Sequence, residues 1–206
     1  MIFGPFTIAL LIITVLISIP AMNDERLVNK LMLWPRRMDR PSEYYRLLTS
    51  GFVHADWGHL FFNMFALAFF GSVVERQFAA INTPWLYILM YLSGIVAASL
   101  PSFMKNRHNA YYRALGASGG VAAVLFSSVY FAPWDTIRIY FIPMPSIVFA
   151  VLYLVYSAYM TKKGRDNVGH DAHFWGSVYG FLFTLAFDPT HGRIFFYNIM
   201  QPHFNF

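Results

Sequence analysis

Charged residues divide this chain into apolar stretches too long for the elements of a water-soluble domain. Met1 to Asn23 holds no Asp, Glu, Lys or Arg, with Phe6–Ile19 its densest part, and Trp57–Val74, Pro84–Phe103, Ala114–Trp134 and Ile139–Thr161 follow. A last stretch, Ala172–Phe187, is shorter. About 20 apolar helical residues cross a bilayer core about 30 Å thick. The pattern therefore predicts transmembrane helices over approximately 2–20, 57–75, 84–103, 114–134, 139–161 and 172–187. The expected fold class is an all-α polytopic membrane protein, with residues 1–206 as a single membrane domain. The first stretch has no basic flank, and its apolar run exceeds a signal-peptide core, so a retained helix is expected.

Between the first two spans, Ala21 to about Asp56 mixes Leu27, Val28, Leu31, Met32 and Trp34 with Arg26, Lys30, Arg36 and Arg37. That mixture predicts a short amphipathic element lying in the membrane interface. A solvated loop is the alternative.

Composition agrees with the pattern. Apolar residues make up 57% and charged residues 12%, against about 45–50% and about 25% in soluble domains. The net charge is +5, but the 15 basic residues form no block or stripe, which excludes a nucleic-acid partner. Without cysteine there is no disulfide, no thiolate nucleophile and no thiolate metal ligand. No H-E-x-x-H motif and no pair of intramembrane aspartates is present, and His170 with His173 lacks a third ligand. No metal and no cofactor is expected.

Polar residues inside membrane helices are expensive, so each needs a reason. His59 and Asn63 open the second span at i and i+4, on one face. Both can donate, and aligned donors suit a developing oxyanion; both could equally bond a neighbouring helix. His54, just upstream, is placed to brace the same site. Gly116-Ala-Ser118-Gly119-Gly120 opens the fourth span. The serine could be a packing residue, yet glycines on both sides expose its hydroxyl, and a helix N-terminus favours an anion. The match to G-x-S-x-G fails on context, because no strand precedes it. Ala172-His173-Phe-Trp-Gly176-Ser-Val-Tyr-Gly180 opens the last span, and its G-x-x-x-G face admits a close partner helix. If that partner is the fourth helix, His173 meets Ser118. All three spans start on the same side of the membrane, so a nucleophile, a base and oxyanion donors share one depth.

Taken together, H-x-x-x-N at His59–Asn63, G-x-S-G at Gly116–Gly119 and A-H-x-x-G-x-x-x-G at Ala172–Gly180 resemble the rhomboid family of intramembrane serine proteases. Their order, and their positions on the second, fourth and sixth spans, are similar to that family's six-helix core. Tyr45-Arg46 resembles its Trp-Arg pair after the first helix. The resemblance implies Ser118 as nucleophile, His173 as general base without a carboxylate, and an oxyanion hole of the Ser118 N–H, His59 and Asn63. It implies substrates that are transmembrane helices, unwound near the membrane surface and admitted laterally between the second and fifth spans. Pro143 and Pro145 would loosen the fifth helix or shape a turn, and the loop from Lys162 to Asp171, with Gly164 and Gly169, would cap the site.

The sequence departs from the family pattern at Ala122, where an aromatic often packs on the catalytic imidazole; Phe174 or Tyr179 is the expected substitute. Two rival functions fit the same residues. One is an inactive relative that binds membrane proteins. The other is a transporter with His59 and His173 as relays, for which Glu75 is the only close acidic candidate. The resemblance implies a bacterial inner membrane, with the active site facing the extracytoplasmic side and both termini in the cytoplasm. The positive-inside rule opposes that orientation, because twelve of the fifteen basic residues fall on the active-site side. Six of those twelve lie in the first loop, where long basic side chains can snorkel to headgroups.

Overall fold

The structure, a computed structural model, describes residues 3–139, 142–163 and 169–202. Helix α1 (Pro5–Met22) begins with a proline in its first turn, where the missing N–H costs nothing. Its buried side is Thr7, Leu10, Thr14, Ser18 and Ala21, a small and polar stripe at helical spacing. The stripe packs on α4 (Trp57–Ala80). Glu75 of α4 accepts from the N–H groups of Phe6 at 2.9 Å and Thr7 at 2.8 Å and from Thr7 Oγ1 at 2.6 Å. A side chain on Gly4 would collide with that carboxylate. The one acidic candidate for a transport relay thus caps the first helix.

Between α1 and α4 the chain folds into α2 (Glu25–Leu31), two short 3₁₀ turns, α3 (Arg46–Thr49) and a third 3₁₀ turn, Ser50–Phe52. Asp24 caps α2 by accepting from the N–H groups of Arg26 and Leu27. Arg46 is buried, pairs with Glu43 at 2.6 Å, and donates to the carbonyls of Asn29 at 2.8 Å and Met32 at 3.2 Å. The Tyr45 hydroxyl donates to the Lys30 carbonyl at 3.0 Å. The Tyr-Arg pair singled out by sequence therefore ties this segment together. Leu33 and Met38 of this segment form a small separate core with Phe103, further along the chain.

Helix α5 (Trp85–Lys105) follows, and α1, α4 and α5 are each long and apolar enough to cross a membrane. Helix α6 (Ser118–Phe131) is shorter than the predicted span 114–134, and every residue from Gly119 to Phe131 is buried. It ends early at both sides for local reasons. Ala114 pairs with Leu33 as an isolated bridge, Gly116 takes φ 118°, and residues after Phe131 turn into a ribbon. That ribbon is β1 (Thr136–Ile139) antiparallel to β2 (Ile142–Pro145), with Thr136 opposite Pro145 and Ile139 opposite Ile142. Pro143 and Pro145 therefore sit in β2, a two-stranded edge that tolerates proline, and loosen no helix.

Helix α7 starts only at Ser146 and runs to Lys163; α8 spans His170–Phe187. A further helix, α9 (Pro189–Ile199), is absent from the predicted pattern; Asp188 caps it by accepting from the His191 N–H at 3.1 Å.

Small residues set how α6 is surrounded. A Cβ on Gly176 of α8 would stand 2.2 Å from the Gly119 carbonyl oxygen, and one on Gly180 would stand 2.1 Å from that of Ala123. A Cβ on Gly119 would stand 2.6 Å from that of Ala98 on α5. The predicted partner of the G-x-x-x-G face is thus α6, at backbone contact.

Candidate active site

The segment before α6 shapes the site. Gly116, in the left-handed region that favours glycine, donates its N–H to the Ser50 carbonyl at 2.9 Å. A Cβ there would fall 2.5 Å from Cε1 of His59, so the glycine also makes room for that ring. Ser118 is the first residue of α6, and no side chain caps this end. The first bond of the helix runs from the Val121 N–H to the Ala117 carbonyl at 3.0 Å, leaving the N–H groups of Ser118, Gly119 and Gly120 without intrahelical partners.

His54 braces this turn from below. It is buried; Nε2 accepts from the Ala117 N–H at 3.2 Å, and Nδ1 lies 2.9 Å from Ser18 Oγ. An accepting Nε2 places the ring proton on Nδ1, which donates to Ser18. Burial, and then the neighbouring His59, push the His54 pKa down to about 3 against an opposing pull from Asp56, so the neutral tautomer is retained. Its ring meets that of His59 edge to face, with centroids 4.9 Å apart.

At the start of α4, Asp56 caps the helix by accepting from the His59 N–H at 2.8 Å. Asn63 is buried and donates one amide N–H to the His59 carbonyl at 2.9 Å, which leaves the other available. On α8, His173 precedes Gly176 by one turn, so the contact between Gly176 and Gly119 carries the imidazole toward the start of α6.

Ser118, His173, His59 and Asn63 all line one cavity of about 650 Å³, whose rim includes Asp56 and Gly169 and whose apolar wall includes Phe62, Val121, Leu125 and Tyr153. Among the described residues, neither Ser118 Oγ nor the His173 ring makes a hydrogen bond, so the hydroxyl and the imidazole share the space unpaired. Asp171 turns away and accepts from Ser102 Oγ at 3.2 Å, and Asp188 lies at the far end of α8. No carboxylate of α8 supports the imidazole.

The aromatic neighbour of His173 differs from both expected residues. Phe174 packs on Trp175, while Tyr179 packs on Phe183 and donates to Ser93 Oγ at 2.7 Å. The ring that stacks on His173 is Tyr153 of α7, with centroids 5.9 Å apart and planes 24° from parallel. Nothing in the linear sequence distinguishes Tyr153 from the other aromatics of that span. Most of the loop expected to cap the cavity, from Gly164 to Val168, lies outside the described residues.

The family model of the Rhomboid domain matches residues 41–189. RHOMBOID-like protein 12, mitochondrial, of Arabidopsis thaliana is 26% identical over 175 residues, covering 76% of this chain and 50% of the relative. RHOMBOID-like protein 4 of the same plant is 30% identical over 164 residues, covering 77% and 38%. Rhomboid protease GlpG of Haemophilus influenzae is 25% identical over 183 residues, covering 87% and 88%. The chain spans about half the length, or less, of the plant relatives.

Proposed function

Because this chain belongs to the rhomboid family, we propose that it is an intramembrane serine endopeptidase cutting transmembrane segments of other membrane proteins through a Ser118–His173 dyad. The observation that carries this reading is the single cavity shared by Ser118, His173, His59 and Asn63. Ser118 Oγ attacks the scissile carbonyl carbon while the His173 imidazole takes the hydroxyl proton. The resulting oxyanion accepts from the Ser118 N–H, His59 and Asn63. The carbon–nitrogen bond then breaks, the imidazolium returns its proton to the leaving amine, and an acyl-serine ester remains. Water, deprotonated by the same imidazole, releases the second fragment and restores Ser118. The rim beside Asp56 and Gly169 supplies a route for that water.

In this reading α1 and α4 to α8 form a six-helix bundle in the bilayer, and substrates come in laterally between α4 and α7. The inactive relative that only binds membrane proteins is the second reading, and the retained serine and histidine in a common cavity favour the protease. The test uses purified protein in liposomes with a single-span transmembrane reporter. Two fragments from the wild-type chain are expected, and capture of the intact reporter without fragments would favour the binding protein.

The proposed location is a bacterial inner membrane, with the mouth of the cavity extracytoplasmic. His108 lies exposed on the mouth side, and Ala80 lies exposed at the opposite end of α4. With no native cysteine to interfere, a His108→Cys chain should react with an impermeant maleimide added to intact cells, and an Ala80→Cys chain should not. The reverse pattern would place the mouth in the cytoplasm, as the distribution of basic residues favours.

A further inference from the structure

We propose that Tyr153 is the positioning residue of the general base, so that the orientation of the His173 imidazole is set by α7 and not by the helix that carries the nucleophile. The inference rests on the protease reading of the same cavity. One turn after Ser118 stands Ala122, buried, whose methyl group cannot reach across the cavity that it lines. Tyr153 lines the same cavity from α7 and lies nearly parallel to the imidazole. Its ring is itself held, by Phe126 of α6 at 6.0 Å and Phe149 of α7 at 5.6 Å between centroids. One turn on, Tyr156 meets His170 edge to face at 5.5 Å. Two aromatic–imidazole pairs, 153 with 173 and 156 with 170, thus clasp α7 to α8 at the level of the nucleophile.

The stack compensates for the missing hydrogen-bonded support. No carboxylate of α8 orients the His173 ring, so its ring neighbours restrict rotation about χ2, a broad torsion in histidine: His170 of the same helix edge-on at 6.0 Å, and Tyr153 flat against it from α7. Helix α7 is also peripheral: only Ser146, Ala150 and Ser157 are buried along it, and Val151, Leu152, Val155 and Tyr159 are exposed.

The test compares Tyr153→Leu, Tyr153→Phe and the double variant Tyr153→Leu/Ala122→Tyr in liposomes, with kcat and KM measured separately on the transmembrane reporter. An aromatic pair is worth enough to change a rate by about threefold to tenfold. Tyr153→Leu should lower kcat by about tenfold with KM little changed. Tyr153→Phe keeps the ring and should stay within about threefold of the wild type. Ala122→Tyr should restore part of the kcat lost in Tyr153→Leu by offering a ring from α6. Should Tyr153→Leu fail to fold, Tyr153→Met, which keeps the volume without the ring, takes its place with the same expectation. A Leu or Met variant with wild-type kcat would overturn the proposal, as would equal losses in the Phe and Leu variants. Failure of the protease reading looks different: the wild-type chain then yields no fragments, or Ser118→Ala cuts as fast as the wild type, whatever happens at Tyr153.

Discussion

Ser118→Ala and His173→Ala should each remove cleavage of a transmembrane reporter, lowering turnover by on the order of 10⁴-fold or more. The double variant should be no slower than either single one, because nucleophile and base act as one unit. Folding should change little. Ser118 is half-buried and its hydroxyl makes no hydrogen bond to another described residue, so removing it leaves no partner stranded. His173 loses the stack with Tyr153, worth about 0.5–1.5 kcal/mol. The packing of α8 on α6 depends instead on Gly176 and Gly180, which both variants retain. Gel electrophoresis of the reporter, with thermal unfolding in detergent as the control, separates loss of chemistry from loss of fold.

His59→Ala and Asn63→Ala should act on the same step with a smaller effect. Losing one oxyanion donor lowers turnover by about 10²–10³ where the others remain. The two should differ in what else they disturb. Asn63 spends one N–H on the His59 carbonyl, which also accepts from the backbone of its own helix, so its removal strands no group. His59 fills the space against Gly116 and meets the ring of His54, so its removal opens a gap beneath the turn that presents Ser118. A larger loss of thermal stability is expected for His59→Ala. Kinetics on folded protein decide the matter: variants that unfold readily but keep wild-type turnover while folded would make these residues helix-packing groups.

Much of this site was legible in the sequence because it depends on short-range rules. Gly176 and Gly180 lie four apart, and only such a face lets a helix rest on the carbonyls of Gly119 and Ala123. His59 and Asn63 share a face by the same periodicity, and both line the cavity. The bracing role expected for His54 has a specific form, a bond from the Ala117 N–H, that spacing alone could not supply.

Other features were hidden for identifiable reasons. Span boundaries follow charge in a sequence but follow backbone pairing in the fold, so Ala114 joined a span although it bridges to Leu33. The second strand of the ribbon, Ile142–Pro145, merged into the fifth span because it carries no charge. The alternation of Ile142-Pro143-Met144-Pro145 was the available signal, since proline at every second position is incompatible with helix. Tyr153 could not be found at all from spacing, because its contact with His173 joins two helices.

The most direct test of the central claim is chemical. A fluorophosphonate reacts only with a serine whose proton is removed by a nearby base, and mass spectrometry then reads the residue that carries the label. Detergent-solubilised protein should carry one adduct, on Ser118, and none in the His173→Ala chain. An unlabelled wild-type protein that remains folded, or an adduct on a different serine, would contradict the assignment of Ser118 and His173 as the catalytic dyad.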